Sequence, residues 1–283
     1  MKLNAKVIGA AFVALVCTSN LSLQAAEDAP KLVQRTDGLT LDLGNGVTLV
    51  LARIPEGKFK MGVPADAPGR VKSDADEREV TIENAFWIGV TEVTQAQYEA
   101  VMGDNPTTVN KQPQYTQVVD PQCPVVRVSF NNANDFCRKA SAMTGKFVRL
   151  ATEEEWEYAA RAGGDGLNGA KVADVAWYKE NSEAKQHPVA TKPANAYGLY
   201  DMLGNVGEWV TSSKGVWIRG GNLTSKEDEC RPTRREPHGG LHNDPRSGFR
   251  VVVDSKPPPP PRQTPAKKNQ DKPTTSPSTQ DTH

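Results

Sequence analysis

The 283-residue chain carries 34 lysines plus arginines against 34 aspartates plus glutamates, so its formal net charge at neutral pH is zero. A nucleic-acid binder that relies on phosphate contacts needs a basic excess, which makes that class of function unexpected here. Hydrophobic residues make up 37% of the chain and charged residues 24%, a balance that allows a globular core.

The first 26 residues have the three-part pattern of a secretory signal peptide. Two lysines precede an apolar run at 7–16, and small residues follow near Ala26. This apolar run is too short to span a membrane as a helix. We therefore expect export to the periplasm, no transmembrane segment in the mature form, and a lead-in at 27–39. Lipid attachment at Cys17 is the weaker alternative, because two bulky residues precede that cysteine.

Strands and two capped helices are predicted in the first half of the chain. The segment "LTLDLGNGVTLVLARIPEGKFKMG" alternates apolar and polar residues around "GNG", which predicts a β-hairpin followed by a turn into another strand. Thr94 and Gln97 form a capping box for a helix that ends at Gly103. A second helix is predicted to begin after Ser129 and to end near Gly145.

The second half is predicted to be rich in loops. In "RLATEEEWEYAARAGG", Thr152 and Glu155 form a capping box, acidic residues follow at the positive helix end, and Gly163 ends the helix. No long helix is predicted at 164–254, where backbone polar groups must be satisfied by turns, side chains or bound ions. The proline-rich, mildly basic segment 255–283 has little apolar surface to bury, so we expect a disordered tail.

Eight motifs occur in a fixed order along the chain. They are "FKMG", "EREV", "TEVTQAQY", "CPVVRVSFNNANDFC", "FVRLATEEEWEYAARAG", "ANAYGLYDMLGNVGEWV", "IRGGN" and "SGFRVV". This set resembles the formylglycine-generating enzyme family, also called the sulfatase-modifying factor family. The resemblance implies one α+β domain at 40–254 with a C-type-lectin-like core, few short helices and strands, and many loops.

The resemblance also implies a structural calcium ion at the loop "DMLGNVGE". Members of the family bind it through one side chain, two backbone carbonyls and a closing glutamate, at positions that match Asp201, Gly204, Val206 and Glu208 here. Calcium takes roughly six to eight oxygen ligands of this kind. The alternative is that Asp201 and Glu208 only cap turns and accept backbone N–H groups.

A redox centre is the second chemistry that the resemblance implies. Active members hold copper(I) between two cysteine thiolates and use oxygen to oxidise a substrate cysteine to formylglycine. Those two positions match Ser225 and Cys230 here. Copper(I) prefers thiolates, and a serine hydroxyl is hard and protonated, so a two-sulfur copper site is not expected. Asn222 and Gly207, which replace a serine and a tryptophan, also alter the expected active groove.

Three cysteines follow the predicted signal peptide, at positions 123, 137 and 230. Cys137 lies at helical spacing among apolar residues, which predicts a small buried core residue. For Cys230 three interpretations stay open. It is a buried inert thiol, it forms a disulfide with Cys123, or it shares a metal ion with His238 and His242.

A basic cluster follows Cys230 in "CRPTRREP". With Asn222, the side chains of Arg231, Arg234 and Arg235 are predicted to line a binding groove, where guanidinium groups hold a carboxylate or phosphate through paired hydrogen bonds. The alternative is a structural role, in which these arginines pair with the acidic run at 227–229.

Three functional hypotheses follow. The replacement at Ser225 favours a non-oxidising, calcium-stabilised binding or regulatory module. Its partner would be an envelope protein or a peptide-like ligand. By analogy with some exported relatives, the module would be an accessory protein of a secretion system or another envelope assembly. A second hypothesis is a periplasmic oxidase of a small peptide or siderophore precursor, with a residual role for Cys230. A sulfatase-activating oxidase is the least expected, because Ser225 removes one thiolate.

Overall fold

The computed structural model describes residues 37–255, apart from residues 73, 109–117 and 241–242. The predicted signal peptide and nearly all of the predicted tail lie outside the described residues. None of the helices in the described part has the length and hydropathy needed to cross a membrane. The elements are β1 (Leu39–Asp42), β2 (Thr48–Ile54), β3 (Gly57–Met61), β4 (Arg78–Ile82), β5 (Phe86–Gly89), α1 (Gln95–Met102), α2 (Phe130–Thr144), β6 (Val148–Leu150), α3 (Glu153–Arg161), α4 (Val172–Val175), β7 (Gly207–Ser212), β8 (Gly215–Arg219), β9 (Arg235–His238), β10 (Ser247–Gly248) and β11 (Val251–Asp254), with 3-10 turns at Pro106–Thr108 and Glu227–Glu229.

The predicted hairpin is confirmed. Strands β1 and β2 pair antiparallel, with Leu39 opposite Leu51. The turn between them places Asn45 and Gly46 at φ values of +53° and +76°, a region that asparagine and glycine enter more readily than other residues. The following turn leads into β3, which pairs antiparallel with β4.

The predicted helix starts are also confirmed. Reciprocal capping boxes join Thr94 to Gln97, Ser129 to Asn132 and Thr152 to Glu155. The first two helices end at left-handed glycines, as predicted. Helix α3 differs by one residue, because the chain already turns left-handed at Ala162, whose N–H donates to the carbonyl oxygen of Tyr158 at 3.2 Å.

The largest sheet has five antiparallel strands in the order β1-β2-β5-β11-β6 and is covered on both faces. Val251 and Val253 of β11 belong to one core with Phe136 of α2, whereas Val252 belongs to a second core with Trp156 of α3. Successive residues of a strand point to opposite faces, so a fully apolar strand suits this central position.

A second sheet, in the order β10-β7-β8-β9, joins the two cores. Trp209 of β7 packs in the first core and Val210 in the second. Strand β7 pairs parallel with β10 and antiparallel with β8. This arrangement brings the loop before β7 next to the Gly-Gly turn after β8. The described domain is therefore α+β with short elements and many loops, as predicted.

Candidate functional site

The Gly-Gly turn after β8 brings Ser225 and Cys230 to the same glycine. Gly220 and Gly221 both have positive φ, at +90° and +76°. A Cβ atom added to Gly221 would lie 3.2 Å from Cys230 Sγ and 3.3 Å from Ser225 Oγ. The N–H of Asn222 donates to Ser225 Oγ at 3.0 Å, which closes the turn. The two positions that the sequence singled out are therefore neighbours in the fold.

The Cys230 thiol is enclosed and protonated at neutral pH. The residue is 1% exposed and packs in a small apolar cluster with Ala176, Tyr178 and Leu203. Burial, and after it the negative charge of nearby acidic side chains led by Glu229, raises the pKa of the thiol to about 12. A thiol that stays protonated is a weak nucleophile and a weak metal ligand. These surroundings favour the interpretation of an inert thiol.

The other interpretations of Cys230 gain no support from the geometry. Cys123, Cys137 and Cys230 are all free and buried, and Cys137 lies in the core as predicted. His238 Nδ1 accepts the Gly240 N–H at 3.1 Å, whereas His242 lies outside the described residues. Within the part of the chain that is described, no three His, Cys, Asp or Glu side chains are grouped to hold a metal ion.

The three arginines after Cys230 are engaged in separate ion pairs. Arg231 binds Asp74 at 2.7 Å, and Arg235 binds Glu153 at 3.0 Å. Arg234 contacts two glutamates, one of them in the neighbouring acidic run. The side chain of Asn222 is likewise used locally, since its Oδ1 accepts two hydrogen bonds from Thr224. These contacts fit the structural alternative better than the predicted groove.

Glu208 and Arg250 form a fully buried ion pair at the start of β7. Arg250 Nε and Nη2 donate to the two carboxylate oxygens of Glu208 at 2.7 and 2.6 Å. Trp156 Nε1 donates to Glu208 Oε2 at 2.8 Å. Both partners are 1% exposed, so this pair fixes the loop Asp201–Glu208 against α3 and the strand that follows Arg250.

Two further buried carboxylates face this pair. Asp201 Oδ2 accepts the Ala190 N–H at 2.7 Å, but Asp201 Oδ1 is buried without a hydrogen-bond partner. Burial raises the pKa of Asp201 to about 6. Glu92 accepts hydrogen bonds from Asn205 Nδ2 and the Val206 N–H. Burial, followed by the charges of Asp201 and Glu208, raises the Glu92 pKa well above its usual range.

Glu92 is the residue of this cluster that the sequence did not single out. It lies in "FWIGVTEVT", and the one available signal was a carboxylate directly after an apolar run. Its exposed fraction is 0%, which is rare for a glutamate that forms no direct ion pair among the described residues. Its contacts with Asn205 and Val206 place it against the predicted calcium loop.

The described carboxylates do not form a ready-made group of metal ligands, but their oxygen donors are of the type that suits a hard cation. Glu92, Asp201 and Glu208 face a single guanidinium, and one buried oxygen of Asp201 has no partner. The loop is tightly wound, because Asp201, Gly204 and Asn205 all have positive φ. A Cβ on Gly204 would lie 2.3 Å from the Trp177 carbonyl oxygen, so only glycine fits there. Carboxylate and carbonyl oxygens are the ligands that calcium prefers.

Comparison with known proteins agrees with the family resemblance that the ordered motifs indicated. The model of the "Sulfatase-modifying factor enzyme 1-like domain" matches residues 48–255. The chain belongs to this family. It is 31% identical over 233 residues to "Inactive C-alpha-formylglycine-generating enzyme 2" from Bos taurus, an alignment that covers 62% of this chain and 74% of the relative.

Two further similarities extend over most of the domain of this sulfatase-modifying factor family member. It is 28% identical over 236 residues to "Chaperone protein LppX" from Paenibacillus barcinonensis, covering 63% of this chain and 78% of the relative. The solved structure of PvdO from Pseudomonas aeruginosa is similar in fold, with a TM-score of 0.67, 26% identity, and coverage of 78% of this chain and 100% of PvdO. The family resemblance and the fold class predicted from the sequence are confirmed.

The copper site of active relatives does not fit this family member. Position 225 carries a hydroxyl that accepts the Asn222 N–H, and the Cys230 thiol is buried with a pKa of about 12. At Gly207, where a tryptophan was expected, an added Cβ would lie 2.5 Å from Ile218 Cγ2. The donor set and the neighbouring surface both differ from those of a two-thiolate oxidase.

Proposed function

We propose that this protein is a non-oxidising member of the family that acts as an exported binding or regulatory module. The observation that carries the proposal is the pairing of Ser225 with a buried, protonated Cys230 at Gly221. Without two thiolates the segment has no soft-metal donor set, so oxygen-dependent thiol oxidation lacks its centre.

Two of the relatives support a role other than formylglycine generation. One is named as an inactive formylglycine-generating enzyme and the other as a chaperone protein. A protein named for chaperone activity acts by binding another protein. By analogy, the ligand of this module is a protein or peptide, and the secretory pattern of the first 26 residues supports a partner in the bacterial envelope.

Calcium is proposed as a structural ion of the module. Asp201 Oδ1 and the carboxylate of Glu208 would hold it, together with the backbone carbonyls of Gly204 and Val206, and the ion would supply positive charge to the cluster. The chain itself positions these groups. Arg250 orients Glu208, Ala190 orients Asp201, and Glu92 anchors the backbone of Val206.

The proposal is tested by metal analysis of the purified protein, with a count of free thiols before and after unfolding. We expect about one equivalent of calcium, no copper or iron, and three thiols that become reactive only on unfolding. Cys230→Ala should leave the metal content unchanged, as should Cys137→Ala, the matched control at another buried thiol. One equivalent of copper or iron that is lost in Cys230→Ala alone would establish the oxidase alternative instead.

A further inference from the structure

Arg127 is a buried arginine whose guanidinium edge meets no partner among the described residues. The residue is 6% exposed, and both Nε and Nη2 are buried without a hydrogen-bond partner. No described carboxylate forms an ion pair with it. A buried, unpaired charge with unmade hydrogen bonds is costly, and native structures contain few of them.

The same edge is filled in other arginines of this protein. Arg246 Nε and Nη2 donate to the two carboxylate oxygens of Asp244 at 3.1 and 2.9 Å. Arg250 binds Glu208 through the same two nitrogens at 2.7 and 2.6 Å. These two parallel N–H groups match the two oxygens of a carboxylate. In Arg127 the same two nitrogens have no acceptor in the part of the chain that is described.

The backbone holds Arg127 in place. Its φ of +61° lies in the left-handed region, which an arginine rarely adopts and which costs about 1 kcal/mol or more. The Arg127 N–H donates to the carbonyl oxygen of Asp244 at 3.1 Å. On the preceding residue, both backbone groups of Val126 bond the Thr107 hydroxyl. Val126 and Val128 are 0% exposed, so the segment is fixed on both sides.

Residues 37–255, without the undescribed positions, offer no internal partner for this guanidinium. Asp244 touches Arg127 through its carbonyl oxygen, but its carboxylate is already committed to Arg246. Arg246 in turn approaches Thr224 Oγ1 at 3.4 Å, in the turn that joins Asn222 to Ser225. A path of contacts therefore links Arg127 to the segment where active relatives carry their first thiolate.

We propose that Arg127 is the anchor of a ligand-binding site, where the guanidinium edge receives a carboxylate from outside the chain. The small exposed fraction favours a planar carboxylate over a larger tetrahedral anion. The carboxylate comes from a protein or peptide partner, as an acidic side chain or a C-terminus, or from a small organic acid. This inference names the ligand chemistry of the proposed binding module and rests on that function.

The test is thermal unfolding of the full chain in saturating calcium and at constant ionic strength. The probes are acetate, a blocked peptide whose only carboxylate is a glutamate side chain, and an acetylated triglycine with a free C-terminus. Sodium sulfate serves as a tetrahedral anion and sodium chloride as the baseline. For wild type we expect at least one carboxylate to raise the Tm saturably, by roughly 5–10 °C at a hundredfold excess over Kd.

Two variants assign the effect to Arg127. Arg127→Asn removes the guanidinium, and asparagine tolerates a positive φ, so we expect a folded protein with no saturable rise in Tm. Arg138→Asn is the matched control, because its side chain is 75% exposed on α2, and it should respond as wild type does. A shift of the Arg127 Nε–H resonance on titration of wild type gives the same answer without any variant.

The binding results distinguish the two sources of the carboxylate and also show whether Arg127 is the site. Binding of a peptide carboxylate but not acetate supports a protein partner, and binding of acetate alone supports a small acid. An equal Tm rise in Arg127→Asn, no response of wild type to any carboxylate, or a response to sulfate alone would overturn the assignment. Metal analysis of the same preparation tests the non-oxidising function separately, since copper or iron would refute that function whatever Arg127 binds.

Discussion

Replacement of Arg250 by methionine tests how the carboxylate cluster is held together. Arg250 is 1% exposed and makes four hydrogen bonds, two to Glu208 and one each to the carbonyl oxygens of Gly89 and Tyr200. Methionine fills much of the same volume but leaves three buried carboxylates without a counter-charge. Removal of one partner of a buried ion pair costs about 3–5 kcal/mol, and we expect the upper part of that range.

The measurement is urea unfolding at pH 7, in chelator and in saturating calcium. Arg138→Met is the matched control, because Arg138 pairs with Asp135 at 3.1 Å while its side chain is 75% exposed, so its loss should cost less than about 1 kcal/mol. If a cation binds the cluster, calcium should partly replace the missing positive charge. The loss of unfolding free energy caused by Arg250→Met should then be smaller in calcium than in chelator. If Arg250→Met lowers the free energy of unfolding by no more than Arg138→Met does, the reasoning about the buried pair is refuted.

Three further predictions concern the loop, the thiol and the Gly204 turn. Asp201→Asn should lower the Tm in calcium but not in chelator, because the variant keeps the acceptor for Ala190 and loses the charge; equal losses in both would argue against calcium. Burial holds the Cys230 pKa at about 12 against an ordinary 9.0, so the unfolded chain releases a proton above pH 9 that the native chain keeps. Stability should therefore fall between pH 9 and 12, by about 1 kcal/mol at pH 10 for this thiol, and urea unfolding of Cys230→Ala should show a shallower decline than wild type. Gly204→Ala should cost about 2–4 kcal/mol, from a φ of +77° and a clash with the Trp177 carbonyl, whereas Gly103→Ala, with φ +87° and open space, should cost only about 1 kcal/mol; similar Tm values would contradict the clash.

The local structure was well predicted from the sequence. Capping boxes, left-handed glycines and the hairpin turn depend on residues within a few positions of one another, so short-range patterns are sufficient to locate them. The one-residue difference at Ala162 arose because an alanine adopted the left-handed conformation before the glycine that follows it. The ordered motifs were also enough to identify the family.

The site was predicted only in part. The structure places the Ser225 and Cys230 side chains next to Gly221, whereas their match to the family's redox centre stays a prediction. The arginines after Cys230 were expected in a groove, but each found an acidic partner. Arg235, for example, pairs with Glu153, 82 residues away along the chain. Sequence shows that an arginine is present, but it does not show which carboxylate reaches it in the folded chain.

The sequence by itself determined the family, the α+β class, the helix caps and the loss of one thiolate, because each follows from residue identity or from neighbours along the chain. Only the tertiary structure decided that Glu92 joins Asn205 across 113 residues, that the Cys230 thiol is protonated, and that the edge of Arg127 meets no acceptor among the described residues. Burial and pairing depend on which distant segments pack together. Desolvation then sets the charge state and the cost of each unpaired group.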